Sequence, residues 1–163
     1  MTMELGDIPA HRTVVLEGCD GVGKSTLAQR LAYDHGFVVV HSGRTPDGVD
    51  LAERYRQILA RPGRLALDRS FVSELVYGPL LHGGSRLTDA HAGDLAALVA
   101  RRDGVLAHLI APASVIRARL LVRDGPAAAS PTDIKSLITA YERVVTTLAP
   151  YLPVVRLDTD SRP

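Results

Sequence analysis

The sequence has 163 residues, of which 46% are hydrophobic and 23% are charged, and its formal net charge at pH 7 is +1. This length predicts one domain, residues 1–163, with a buried core, and the small net charge argues against nucleic acid or an anionic membrane as a partner. No stretch approaches the roughly 20 apolar residues of a membrane span, and the first residues lack the pattern of a signal peptide, so we expect a cytoplasmic protein.

The first predicted strand, residues 13–16, leads into a loop with the sequence GCDGVGKST and then into a helical pattern. A loop of the form G-x-x-x-x-G-K-[ST] wraps the phosphates of a nucleoside triphosphate with its backbone amides. Lys24 is expected to reach the β- and γ-phosphates, and the Ser25 hydroxyl is expected to bind Mg²⁺. The predicted phosphate-binding residues are Gly18, Gly21, Val22, Gly23, Lys24, Ser25 and Thr26.

Strands and helices alternate along the rest of the chain. Further strands are predicted at residues 37–40, 65–67, 105–110 and 154–157, the first of them fully buried. Helices are predicted at about 49–60, from 71 onward, and at 94–102, 112–122 and 132–148. This alternation predicts an α/β fold in three layers (α/β/α), with a five-stranded parallel sheet covered on both faces.

Ligands of such sheets bind beyond the carboxyl ends of the strands. Three polar groups are expected there: the phosphate loop, Arg44 with its neighbours, and Asp68 with Arg69. Cys19 is the single cysteine, and the six histidines lack metal-ligand spacing, so neither residue type is given a catalytic role. Residues 125–131, GPAAASP, have no periodicity and are expected to form a mobile loop within the domain.

Several classes of phosphate-loop protein fit poorly. The sequence contains no asparagine, which a guanine-nucleotide switch protein needs for its N-K-x-D motif. Motor and helicase ATPases usually need a longer chain with a glutamate beside the magnesium aspartate, whereas the third strand here ends in Asp68 and Arg69. A small kinase fits better.

Three motifs resemble those of thymidylate kinases and related deoxynucleoside monophosphate kinases. Residues 17–26, EGCDGVGKST, match the family pattern E-G-x-D-G-x-G-K-S-T, and residues 44–48, RTPDG, resemble R-E-P-G-G with two changes. Residues 68–73, DRSFVS, with Tyr77 resemble D-R-Y-x-x-S-x-x-A-Y-Q, although Gly78 replaces the final glutamine. The resemblance is dense over residues 13–78 and looser over 105–158, where RLLVRDG resembles the arginine-bearing lid, about residues 119–131.

The resemblance implies a P-loop kinase that uses ATP as donor with Mg²⁺, and it assigns roles to residues. Asp20 would meet the 3′-hydroxyl of a deoxyribose, Arg44 and Arg69 would hold the acceptor phosphate, and Asp68 would join Ser25 in the magnesium shell. The expected catalytic residues are Lys24, Arg69, Arg119 and Arg123. The expected substrate-binding residues are Asp20, Arg44, Asp68, Arg69, Phe71, Ser73 and Tyr77.

The chemistry of the residues points the same way, because guanidinium groups pair bidentately with phosphate oxygens. Arg119 and Arg123 stand four residues apart, so they share one face of a helix, whereas Arg117 points elsewhere. The arginines favour an acceptor that carries a phosphate, and the resemblance implies phosphorylation of a deoxynucleoside monophosphate, dTMP or another, to the diphosphate.

Two other functions stay open, and so does the base of the acceptor. Thymidylate kinases usually carry a base-reading segment before the third strand, and here residues 57–63 pass almost directly into that strand. Tyr55, Phe71 and Tyr77 are candidates for stacking on a base. The alternatives are a deoxynucleoside kinase, which would phosphorylate a 5′-hydroxyl, and a nucleotide-binding protein without turnover. Small-molecule nucleotides are the expected partners, and the resemblance leaves a homodimer open.

Overall fold

The computed structural model describes residues 5–125 and 133–160. Within these residues, a parallel five-stranded sheet is formed by β1 (Thr13–Glu17), β2 (Val38–His41), β3 (Leu65–Asp68), β4 (Gly104–Ile110) and β5 (Val154–Asp158). The described helices are α1 (Lys24–His35), α2 (Leu51–Leu59), α3 (Phe71–His82), α4 (Asp89–Arg101), α5 (Ala113–Asp124) and α6 (Ile134–Leu148), preceded by a 3-10 helix over Leu5–Ala10. This architecture confirms the predicted α/β fold with a five-stranded parallel sheet.

The strands run side by side in the order β2-β3-β1-β4-β5. One face of the sheet packs on α1 through Ala28 and Leu31. The other face packs on α2, α3, α4 and α6. Because successive residues of a strand point to opposite faces, Leu16 lies in the α1 side of the core while its neighbour Glu17 points toward α3 and α6. This alternation decides where each side chain at the carboxyl edge of the sheet is delivered.

The prediction that the second strand is fully buried is wrong. Among the described strands, β2 lies at the edge of the sheet and pairs with β3 alone, so its other side pairs with no strand of the described residues. Val38 is 55% exposed and Val40 is the only buried residue of the strand. An apolar run predicts a strand but not the position of that strand within the sheet.

Two helices begin at other residues than predicted, because side chains cap them. Asp50 accepts a hydrogen bond from the backbone amide of Glu53 at 3.1 Å, so α2 begins at Leu51. Thr88 and His91 form a capping box, which starts α4 five residues before the predicted position at Asp94. Most of the predicted mobile loop, residues 126–131, lies outside the described residues. No helix in the described ranges is long and apolar enough to cross a membrane.

Candidate active site

The phosphate loop, residues 18–26, joins β1 to α1 at the carboxyl edge of the sheet. Two of its glycines are required by geometry. A Cβ atom on Gly18 would lie 2.5 Å from the carbonyl oxygen of Leu109, and Gly23, the N-cap of α1, has φ +103°. Gly23 has no side chain that could accept a hydrogen bond from the first amides of α1, so these amides are left for a ligand in the loop. Uncapped helix N-termini of this kind bind phosphate in many proteins, because their amides and the helix dipole attract an anion.

Lys24 lies inside this loop and is only 6% exposed. Its ammonium donates to the carbonyl oxygens of Gly18 at 2.6 Å and Cys19 at 2.9 Å. Burial lowers the pKa of Lys24, while the nearby carboxylates of Glu17 and Asp68 oppose that shift. Both acceptors are neutral carbonyls, so an incoming phosphate oxygen would offer the ammonium a stronger partner.

A hydroxyl and a carboxylate meet beside the loop. The Ser25 Oγ donates to Asp68 Oδ2 at 2.8 Å, and His41 Nδ1 lies 2.9 Å from the same oxygen. The strand register explains both contacts. Asp68 points to the face of the sheet that packs on α1, where Ser25 lies, and His41 is the residue of β2 that pairs with Asp68. Mg²⁺ prefers one or two protein oxygens supplemented by phosphate and water, and this pair of oxygens fits that requirement.

The next residue, Arg69, turns toward the phosphate loop. Its backbone takes the left-handed conformation, with φ +68°, and its amide donates to the carbonyl oxygen of Leu16 at 3.2 Å. The guanidinium forms an ion pair with Asp20 and lies 5.8 Å from the centre of the Tyr77 ring. The two charged side chains are 37% and 45% exposed, so other partners can reach both of them.

Asp20, Lys24, Ser25, Asp68 and Arg69 line one cavity of about 1430 Å³. Pockets for a single small molecule measure about 300–1,000 Å³, so the cavity has room for two substrates. It is lined by residues of the phosphate loop, the ends of β2, β3 and β5, and α5, including Asp20, Lys24, Ser25, Thr26, His41, Asp68, Arg69, Arg119, Arg123 and Thr159.

The two arginines of α5 occupy different positions in this cavity. Arg119 donates to the carbonyl oxygens of Gly21 at 3.3 Å and Val22 at 3.4 Å, and it also contacts the hydroxyl and carbonyl oxygens of Thr159, each at 3.0 Å. Arg123 instead pairs with the adjacent Asp124 at 2.7 Å, and this hydrogen bond raises the pKa of Arg123.

Arg117 is exposed and is absent from the residues that line the cavity, as the helical spacing predicts. Of the predicted lid, about residues 119–131, the part from 126 onward lies outside the described residues.

The structure corrects the expectations for two residues of α3. Phe71 is 0% exposed and packs edge-on against buried Tyr55, with ring centres 6.0 Å apart, so neither ring has a free face for a base. The Ser73 hydroxyl contacts Glu17 at 2.9 Å instead of lining the cavity. The first turn of α3 faces the core, and the spacing of the motif alone does not reveal this direction. Arg44 is exposed, and its contact with an acceptor stays a prediction.

Four residues in or next to the site were not predicted: His41 and Thr159 line the cavity, and Glu17 and Tyr141 are buried behind it. Glu17 is part of the matched motif, but the groups that donate to its carboxylate lie at the start of α3 and in α6, far away in the sequence. His41 and Thr159 follow predicted strands, so the rule that ligands bind at strand ends was the available signal.

No family model matches the sequence. Over 85 residues the chain is 36% identical to a tRNA dimethylallyltransferase of Cereibacter sphaeroides, a match that covers 52% of this chain and 24% of that protein. Over 87 residues it is 36% identical to a guanylate kinase of Schizosaccharomyces pombe, covering 45% of this chain and 40% of that protein. The chain therefore spans less than half the length of the curated relatives it matches.

Similarity to solved structures extends over nearly the whole chain. The YorR protein of Bacillus subtilis, solved in complex with phosphorylated GDP, superposes with a TM-score of 0.80 at 25% identity, covering 91% of this chain and 86% of that one. A deoxyadenosine kinase of M. mycoides has a TM-score of 0.57 at 13% identity, covering 92% and 91%.

A shikimate kinase of Acinetobacter baumannii has a TM-score of 0.56 at 13% identity, covering 96% of this chain and 88% of that one. The kinases among these neighbours are phosphotransferases, and the fold of this chain is that of the P-loop kinases.

Proposed function

We propose that the protein transfers the γ-phosphoryl group of ATP to a deoxynucleoside monophosphate, with Mg²⁺. The observation that carries this proposal is the Arg69–Asp20 pair, which lines the same cavity as Lys24 and Ser25. The pair offers a cation for a phosphate and a carboxylate for a sugar hydroxyl, side by side, next to a loop that cradles a triphosphate.

On the donor side, three residues act on the triphosphate. The amides at the start of α1 hold the phosphate oxygens, and Lys24 leaves its carbonyl partners to contact the β- and γ-phosphates. Ser25 and Asp68 would hold Mg²⁺, which supplies charge neutralisation of the phosphates when bound. Positioning and electrostatic stabilisation account for most of the catalysis of phosphoryl transfer, so these contacts are the chemistry that the chain must provide.

On the acceptor side, the substrate replaces an internal ion pair. An acceptor phosphate draws Arg69 away from Asp20, and the freed carboxylate then accepts a hydrogen bond from the 3′-hydroxyl. A nucleoside lacks the phosphate, so it offers Arg69 no new partner. The exchange therefore favours a monophosphate over the corresponding nucleoside.

The arginines of α5 complete the charge balance of the transfer. Arg119 is already held against the carbonyl oxygens of the phosphate loop and Thr159, so we place it at the donor phosphates. Within the residues that the structure describes, Arg123 pairs with its exposed neighbour Asp124, and a phosphate would take the place of that carboxylate. Both residues would stabilise charge on the transferring group.

A deoxynucleoside kinase is the second candidate, and His41 is the observation that favours it. A neutral hydroxyl acceptor needs a general base, and His41 stands at the end of β2 with Nδ1 held 2.9 Å from Asp68. Deoxyadenosine kinase is also among the structural neighbours. Against this candidate, a nucleoside substrate carries no phosphate that Arg69 could bind.

An acceptor panel tests the proposal. ADP release is measured with ATP, Mg²⁺ and each nucleoside or its monophosphate, in ribose and deoxyribose forms. Guanine compounds belong in the panel because YorR was solved in complex with phosphorylated GDP. We expect turnover with at least one deoxynucleoside monophosphate and a much lower kcat/KM with its nucleoside. Turnover with nucleosides alone would replace the proposal by the second candidate.

A further inference from the structure

Glu17, the last residue of β1, has a carboxylate that is fully buried behind the active site. Glu17 is 0% exposed, and its side chain lies on the face of the sheet that packs on α3 and α6, opposite the face that packs on α1. Burial raises the pKa of Glu17, while the nearby Lys24 and the hydrogen bonds from Ser70 and Ser73 oppose that shift. A carboxylate is kept in such a place only when surrounding donors satisfy it.

Donors from two helices converge on this carboxylate. Oε1 accepts from the Ser70 amide at 2.6 Å and from the hydroxyls of Ser70 at 3.1 Å and Ser73 at 2.9 Å. Oε2 accepts from Ser73 at 3.0 Å and from the Tyr141 hydroxyl at 3.1 Å. Ser70 is the N-cap of α3 and Tyr141 lies in α6, so one side chain joins β1 to both helices. The positive end of α3 adds to the stabilisation.

The contact with the Ser70 amide bears on the active site, because Ser70 directly follows Asp68 and Arg69. Arg69 has the left-handed backbone conformation, which a residue other than glycine keeps only when its surroundings hold it. Three backbone amides hold this turn: the Ser42 amide donates to the Asp68 carbonyl, the Arg69 amide donates to the Leu16 carbonyl, and the Ser70 amide donates to Glu17. The contact from Ser70 is the one of the three that a side chain accepts, so a substitution of Glu17 can remove it.

We infer that Glu17 is a positioning residue, which aims Asp68 at Ser25 and Arg69 at the acceptor, and that Tyr141 ties this arrangement to α6. The part that concerns the acceptor rests on the proposed function. The part that concerns Asp68 rests only on the proposed magnesium pair, Ser25 and Asp68, and not on the acceptor, because it predicts an effect on magnesium-dependent nucleotide binding.

The test compares Glu17→Ala, Glu17→Gln and Tyr141→Phe with the unmodified chain. Outer contacts of this kind typically change metal affinity or activity by about 10–100-fold. We expect Glu17→Ala to lower acceptor kcat/KM about tenfold or more, and Glu17→Gln to recover part of the loss, because an amide oxygen can still accept from the Ser70 amide. Tyr141→Phe removes one of the donors and should have a smaller effect. Tyr151→Phe, at a tyrosine that is 51% exposed and outside the residues that line the cavity, is the control and should leave kcat/KM unchanged.

Titration calorimetry with ADP provides the second readout. In the unmodified chain, Mg²⁺ should tighten ADP binding through Ser25 and Asp68. In Glu17→Gln the ratio of ADP affinities with and without Mg²⁺ should shrink; the ratio is the readout because neutralising Glu17 also changes the charge environment of Lys24, with or without metal. Glu17→Gln and Tyr141→Phe could instead lower only the melting temperature. If their acceptor kinetics and their magnesium enhancement of ADP binding were unchanged, the role of Glu17 would be merely structural and the inference would be overturned. If the unmodified chain phosphorylated no monophosphate, the proposed function would fail, and the calorimetry would still decide the role of Glu17.

Discussion

Replacing Arg69 by alanine should weaken the acceptor and leave the fold intact. A charged hydrogen-bond partner is worth about 1.5–3 kcal/mol. In the free protein, however, Arg69 is paired with Asp20, and both side chains are more than a third exposed, so the pair that must break contributes only about 0.5 kcal/mol. The net loss of about 1–2.5 kcal/mol corresponds to an acceptor KM that rises about 5- to 70-fold.

The stability cost of this change should be small. Alanine and arginine meet the same strain at φ +68°, so the substitution relieves none of it and adds none. The half-exposed ion pair and the contact with the Tyr77 ring are lost, for which we expect about 1.5 kcal/mol or less in the free energy of unfolding.

Acceptor KM is measured by ADP release at saturating ATP, with the best monophosphate of the panel. Arg56→Ala is the matched control, because Arg56 also forms an exposed pair, with Glu53 at 3.3 Å, and lies in α2 away from the cavity. An unchanged acceptor KM in a folded Arg69→Ala protein would show that Arg69 does not bind the acceptor phosphate. An equal rise for the corresponding nucleoside would show the same, since a nucleoside carries no phosphate for Arg69.

The other predictions concern the donor side, the sugar and α5. Lys24→Ala should lower kcat by about 10² to 10⁴, because the ammonium stabilises charge that develops during transfer, and normal turnover in the folded variant would remove the phosphate-loop assignment. Asp20→Ala should raise acceptor KM far more than ATP KM; a collapse of ATP affinity would place Asp20 in the magnesium shell instead. Alanine at Arg119 or Arg123 should each lower kcat about tenfold or more, whereas Arg117→Ala should change little, and identical kinetics for the three variants would contradict a role for α5.

The phosphate loop and the strands around it could be predicted because their signals are local. The glycines, Lys24 and Ser25 occupy consecutive positions, and each apolar run reports one strand. Lys24, Ser25, Asp68 and Arg69 could be expected at one site because parallel strands end at the same edge of a sheet. Their pairing partners could not all be foreseen, since the Arg69–Asp20 pair joins residues 49 positions apart.

The remaining features depend on packing between distant segments. The exposure of β2 follows from its place at the edge of the sheet, which no pattern within the strand encodes. Phe71 and Ser73 match a substrate-binding motif by spacing, yet the packing of α3 sends one into the core and the other to Glu17. Glu17 itself contacts Tyr141, 124 positions away, so only the folded arrangement shows that this carboxylate supports the site.

Identification of the labelled product shows directly whether the phosphoryl group is transferred to a phosphate or to a hydroxyl. The protein is incubated with Mg²⁺, ATP labelled in its γ-phosphate, and the four common deoxynucleoside monophosphates, and the products are separated by charge. We expect label in a deoxynucleoside diphosphate, and loss of that label in Lys24→Ala. A parallel incubation supplies the four deoxynucleosides instead; label in a monophosphate there, with no labelled diphosphate in the first incubation, would show that the acceptor is a hydroxyl and not a phosphate.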